Sequence, residues 1–190
     1  MTLRFRSLTP CIGAEVEGID LSASLSRTEI DAIHEGMDRH AVLVFRGQPL
    51  SDEQHLAFTR SLGELESAAT SSLRQGGDFR LPTTFADVSN LDGNHKPFGA
   101  DDRRRLFAIG NRLWHSDSSF KLVPAKYSLL RAVRVPSRGG NTEFAHMGAA
   151  YEALDEETKA LIEDLVCEHS QLYSRESIGF MEFTPEERER

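Results

Sequence analysis

The sequence is poor in cysteine, tryptophan and long apolar runs. Cys11 and Cys167 are its two cysteines, one tryptophan is present, and the longest purely apolar strip is AVLVF at 41–45. Two thiols give no disulfide framework and fit a reducing compartment. Five apolar residues fall far short of the ~20 needed to cross a bilayer. The N-terminal MTLRFR leads into no apolar stretch, so no secretory signal is read. Basic residues are outnumbered: 22 Lys and Arg stand against 30 Asp and Glu, for a net charge of −8. An acidic surface repels phosphate backbones, which argues against nucleic acid as a partner. No internal repeat or low-complexity tract is present. What remains is an ordinary globular composition, 39% hydrophobic and 27% charged over 190 residues, enough for one domain or most of one.

Periodicity reads as a strand-rich, helix-decorated α+β chain without the βαβ alternation of a doubly wound sheet. Residues 12–19 alternate as a half-buried strand does. Ser26 and Glu29 form a capping-box pair ahead of Ile30, Ile33 and Met37, predicting a helix that ends near His40. AVLVF predicts a strand buried on both faces. Ser51 and Gln54 open a second capped helix that stops at Gly63. Residues 66–112 show little periodicity apart from a strand-like patch at 86–89, and read as a binding loop or a solvated insertion. Strands are expected at 113–118, 127–135, 141–147 and 166–174, and helices at 149–154 and after Asp155. Thr184 and Pro185 carry helix-start signals, but no apolar face follows them, which suggests a polar, frayed tail or a cut chain.

The most suggestive pair is His115-Ser-Asp117. In a strand, residues i and i+2 share a face, so imidazole and carboxylate can converge on one cation. Such N/O ligands suit Fe(II), Mn(II) or Zn(II). With seven His and 30 acidic residues, roughly one His-x-Asp/Glu is expected by chance, so the pair alone is more often structural.

Its surroundings change that reading. NRLWHSDSSF (111–120) and PAKYSLLRAVRVPSRGGNTEFAHMGAAYEAL (124–154) resemble the taurine dioxygenase family of Fe(II)/α-ketoglutarate oxygenases, and within it the 2,4-dichlorophenoxyacetate dioxygenases. Further matching stretches are 37–54, 87–93 and 163–175, so the resemblance covers nearly the whole chain. It implies a double-stranded β-helix (a cupin-like jelly roll) decorated with helices, and a facial triad of two His and one carboxylate. On this resemblance His115 and Asp117 are the first two iron ligands. Thr142, within GGNTEF, matches the hydroxyl that binds an α-ketoglutarate carboxylate. Asn111, Ser174 and Arg175 match substrate-side positions, where an Arg can pair with a carboxylate. The implied reaction takes α-ketoglutarate and O2 to succinate and CO2 while hydroxylating an ether-linked carbon, which releases a phenol and glyoxylate. A small anionic substrate, a bacterial cytoplasmic setting and no nucleic-acid or membrane partner go with it; a homo-oligomer stays open. Taurine or another small sulfonate or carboxylate is the alternative substrate, and a non-catalytic remnant the alternative class.

The resemblance also implies a third His ligand, then an Arg for the distal carboxylate of α-ketoglutarate, both farther along than Arg190. The expectation is therefore the N-terminal two-thirds of one dioxygenase domain, lacking its last strands and inactive alone. His146 and His169 read as structural. The Arg103–Arg105 cluster reads as a solvated loop, and Cys167 as a buried structural thiol rather than a partner for His169.

Overall fold

The computed structural model describes residues 3–66, 80–82 and 84–188. Their contacts divide them into two units, 1–64 with 129–165 and 65–128 with 166–190.

The first unit is built on a three-stranded sheet. Strand β1 (Arg4–Ser7) pairs antiparallel with β2 (Ala14–Glu17), setting Phe5 opposite Val16. Within β2 Ala14 and Val16 turn inward, while Glu15 and Glu17 turn out. The pleat thus does what the alternation predicted, over a shorter span. Glu15 lies between Arg6 and Arg46, and the hydrogen bond from Arg46 is the main influence lowering its carboxyl.

Helix α1 (Arg27–His40) begins at Ser26, whose hydroxyl accepts from the Glu29 amide while the Glu29 carboxylate accepts from the Ser26 amide. It ends on Ala41 in the left-handed region, φ 59°. The chain then re-enters the sheet as β3, parallel to β2. A single βαβ crossover is therefore described, without the repeated alternation of a doubly wound sheet. β3 is only Leu43–Val44, an edge strand among the described residues, and half-buried rather than covered on both faces. Helix α2 (Asp52–Leu62) has the second capping box, Ser51 with Gln54, and stops at Gly63.

Val16, Leu21, Ile33 and Phe58 form the core with Leu3, and Phe5, Leu43, Phe45 and Leu129 pack onto them. Two short helices follow in this unit, α4 (Met147–Glu152) and α5 (Glu156–Ile162), the latter capped by Asp155 as expected.

The second unit holds α3 (Arg103–Ala108), a 3₁₀ turn (Ile109–Arg112), α6 (Gln171–Glu176) and α7 (Pro185–Arg188). Three expectations are corrected here. The Arg103–Arg105 cluster is the first turn of a helix capped by Asp102. Arg103 pairs with Glu187 and Arg104 with Asp102. The tail has an apolar anchor after all: Phe180 and Phe183 are buried and stack edge-on, with Phe107 against both. Cys167 is exposed, not buried.

The strands expected at 86–89, 113–118, 127–135, 141–147 and 166–174 do not form ladders. Around 86–89 only a single bridge, Leu91 to Pro97, is paired. Residues 171–176 are helical because Ser170 caps them, accepting from the Tyr173 amide. In 127–135 the apolar alternation is real but unpartnered: Leu130, Val133 and Val135 are 62%, 75% and 77% exposed. Alternation reports a face that can be buried, whereas a strand also needs a hydrogen-bonded neighbour. Among the described residues no helix is long and apolar enough to cross a membrane.

Candidate metal centre

The 3₁₀ turn Ile109–Arg112 ends on an extended Leu113, and the chain then delivers His115 and Asp117 to one place. Convergence comes from a turn rather than from a strand face, with Ser118 in the left-handed region at φ 57°. His115 Nδ1 lies 2.7 Å from the Leu113 carbonyl. A carbonyl only accepts, so Nδ1 carries a proton, and in the neutral ring Nε2 is the nitrogen with the lone pair. That Nε2 is 3.3 Å from Asp117 Oδ1. The other Asp117 oxygen, Oδ2, accepts from the Ser128 hydroxyl at 2.6 Å.

With a neutral imidazole, a nitrogen lone pair and a carboxylate oxygen face each other, an arrangement that a proton or a cation relieves. Both side chains are reachable, with 43% and 60% of their surface exposed. Their outer atoms are held by a carbonyl and a hydroxyl, the kind of support that orients metal ligands. The donor set fits a divalent ion of the Fe(II), Mn(II) or Zn(II) type. Among the described residues no group of three or more His, Cys, Asp or Glu could hold a metal, so this chain's described part offers two ligands.

Neighbouring contacts brace the turn. Glu66 accepts from Ser118 Oγ at 3.0 Å and from Lys121 Nζ at 2.5 Å. Burial raises the Glu66 carboxyl, but the Lys121 and Ser118 hydrogen bonds outweigh it and leave it below the ordinary value. His169 Nδ1 meets Ser119 Oγ at 2.7 Å. His146 caps α4, its Nδ1 accepting from the Ala149 amide, a hydrogen-bonded role of the kind expected for it.

The remaining candidates divide. Asn111, Ser174 and Arg175 come together although 64 positions separate Asn111 from Arg175. One Arg175 nitrogen donates to Asn111 Oδ1 at 2.9 Å and another to Ser174 Oγ at 3.1 Å. Burial pulls the Arg175 guanidinium below its ordinary value. Thr142 belongs to the first unit, exposed in the irregular stretch before α4. Reasoning from sequence missed Ser128 and Glu66. Neither has a local signal, since each reaches the His115–Asp117 turn only through chain folding.

A family match over residues 4–190, to taurine catabolism dioxygenases of the TauD, TfdA family, settles the affiliation. The chain belongs to the TauD/TfdA dioxygenase family. It is 41% identical over 188 residues to the α-ketoglutarate-dependent 2,4-dichlorophenoxyacetate dioxygenase of Cupriavidus pinatubonensis, and 38% identical to that of a Burkholderia strain. Each match covers 99% of this chain but 65% and 63% of the relative. The crystal structure of AAD-2 in complex with Mn(II) and N-oxalylglycine superposes with a TM-score of 0.95 at 50% identity, over 100% of this chain and 65% of that one. This member of the TauD/TfdA family thus spans just under two-thirds of the length of these relatives. Over that span its backbone follows the fold of AAD-2.

Proposed function

We propose that this TauD/TfdA chain carries the first two metal ligands of an Fe(II)- and α-ketoglutarate-dependent dioxygenase acting on aryloxyacetates such as 2,4-dichlorophenoxyacetate. The observation that carries the reading is the pairing of His115 Nε2 with Asp117 Oδ1, each with its far atom already engaged by Leu113 or Ser128. The relatives that are 2,4-dichlorophenoxyacetate dioxygenases support the substrate class, and the Mn(II) and N-oxalylglycine bound by AAD-2 support the cofactors. N-Oxalylglycine keeps both carboxylates of α-ketoglutarate with an amide in place of a methylene.

When bound, Fe(II) supplies the activation of O2 that couples oxidative decarboxylation of α-ketoglutarate to hydroxylation of the substrate. The chain's own groups orient and exclude. Leu113 keeps the proton of His115 on Nδ1, so Nε2 stays available for the ion. Ser128 holds one Asp117 oxygen and so leaves the other to bind. Thr142 is assigned to a carboxylate of α-ketoglutarate, and Asn111, Ser174 and Arg175 to the substrate side. Hydroxylation of the carbon between ether oxygen and carboxylate gives a hemiacetal. Its collapse balances as aryloxyacetate, α-ketoglutarate and O2 to phenol, glyoxylate, succinate and CO2.

The described residues supply two of the three ligands of a facial triad. We therefore expect the 190-residue chain alone to bind metal weakly and turn over little. The jelly-roll reading, the one-domain organisation and the cytoplasmic location are proposed for the protein at its relatives' length. The test is an assay of that longer form for succinate, glyoxylate and phenol, with taurine and 2,4-dichlorophenoxyacetate in parallel. Matched succinate and phenol, abolished by His115→Ala and by Asp117→Asn, are expected. Turnover of taurine alone would reject the aryloxyacetate reading, and no succinate with any substrate would reject the enzyme.

A further inference from the structure

Arg175 is 8% exposed, an uncommon state for a guanidinium. No acidic side chain pairs with it among the described residues. Its Nε is buried without a hydrogen-bond partner, and its Cζ lies 4.6 Å from the centre of the Phe107 ring. Gly110 makes the burial feasible. A Cβ at that position would collide with the guanidinium, so glycine is required by close approach rather than by a turn. The neighbouring residue, Asn111, then receives the Arg175 hydrogen bond.

A guanidinium has donors and no acceptor, so the atom of Asn111 that faces it must be the oxygen. The amide is thereby held in one orientation, with its NH2 turned the other way. Asn111 is exposed, and that NH2 has no partner among the described residues. It stands four residues before His115. Two free N–H donors beside an uncompensated positive charge match an oxyanion and disfavour a cation.

We infer that Arg175 is a positioning residue: cradled on Gly110, it locks the Asn111 amide so that the Asn111 NH2 is presented to a substrate carboxylate or sulfonate. This rests on the proposed site, and it replaces direct substrate pairing by Arg175 with action through Asn111.

Two arms test it. The first needs no ligand. In the chain labelled with 15N-asparagine, the four asparagines are 90, 94, 111 and 141, and the Asn111 side-chain signal is identified by its loss in Asn111→Ala. It should move in Arg175→Met and return towards its place in Arg175→Lys, which restores a donor. A purely packing role predicts the opposite order, since Met suits an apolar site better than Lys. An unmoved signal in Arg175→Met overturns the lock.

The second arm titrates 2,4-dichlorophenoxyacetate and, separately, taurine, followed by the same signal and by Trp114 fluorescence. Arg175→Met and Asn111→Ala should each weaken binding about tenfold, and the double variant also by about tenfold, because they break one interaction. A product near a hundredfold would make Arg175 an independent anchor and overturn the inference. Asn111→Asp keeps an oxygen for Arg175, so it should stay folded yet lose the anion; undiminished binding would overturn the donor role. The better-bound anion identifies the oxyanion as carboxylate or sulfonate. Binding of neither by the wild type refutes the oxyanion site, whereas the first arm separately decides the lock.

Discussion

Replacing Glu187 by alanine tests whether the tail is docked or frayed. The Glu187 side chain is 1% exposed, and its carboxylate receives Arg103, which also donates to the Glu182 carbonyl. The same carboxylate accepts from the Thr184 amide at 2.7 Å, while Thr184 Oγ1 accepts from the Glu187 amide at 3.3 Å, a complete capping box for α7. Losing the cap costs ~1 kcal/mol. Breaking a buried ion pair costs ~3–5 kcal/mol. Arg103 keeps a third of its side-chain surface and its Glu182 bond, so ~1–2 kcal/mol is the appropriate share. The total, ~2–3 kcal/mol, corresponds to a fall in Tm of roughly 5–10 °C for a chain of this size. Glu187→Gln keeps an oxygen for the Thr184 amide and should lose about half as much. Thermal unfolding by far-UV circular dichroism makes the measurement. In Arg103→Met/Glu187→Ala the combined loss should fall short of the sum, since the second change removes the stranded charge. A Glu187→Ala variant within ~0.5 kcal/mol of wild type would refute the docking and restore a solvated tail.

Ser128→Ala should weaken Mn(II) binding about 10–100-fold with an unchanged Tm, read by electron paramagnetic resonance of the free ion; equal affinity would remove Asp117 as a supported ligand. Ile33, 2% exposed and at the centre of the core, should cost ~2–5 kcal/mol as Ala and ~0.5–1.5 kcal/mol as Val in urea unfolding. Burial, and then the Arg131 charge, hold His55 below its ordinary value of 6.5. The unfolded chain therefore binds the proton first. Stability is full above about pH 6.5 and falls as the pH drops towards the folded-state value, and His55→Gln should flatten that slope in denaturant titrations across the range.

Legibility followed distance along the chain. Both capping boxes, Ser26 with Glu29 and Ser51 with Gln54, were readable because the hydrogen bonds close within four residues. Asp155 was readable for the same reason. The Thr184–Glu187 box has the same pattern, yet the tail read as frayed because its apolar anchor, Phe180 and Phe183, precedes the helix instead of lying on it. The 166–174 segment was read as a strand from its residue types, but Ser170 caps a helix at its C-terminal half. The His115–Asp117 pair stood out as candidate ligands, and a turn, not a strand face, makes them converge.

The sequence by itself determined where the long helices begin and end, and that imidazole and carboxylate stand two residues apart in a chain of this family. Those outcomes depend on neighbours in the chain. Tertiary structure alone decided which atoms of those groups are free. Ser128 takes one Asp117 oxygen from 11 residues away, Arg175 takes the Asn111 oxygen from 64 away, and Arg103 finds Glu187 across 84. A hydrogen bond closed over such spans depends on how the intervening chain folds, and composition or periodicity at either end carries no record of it.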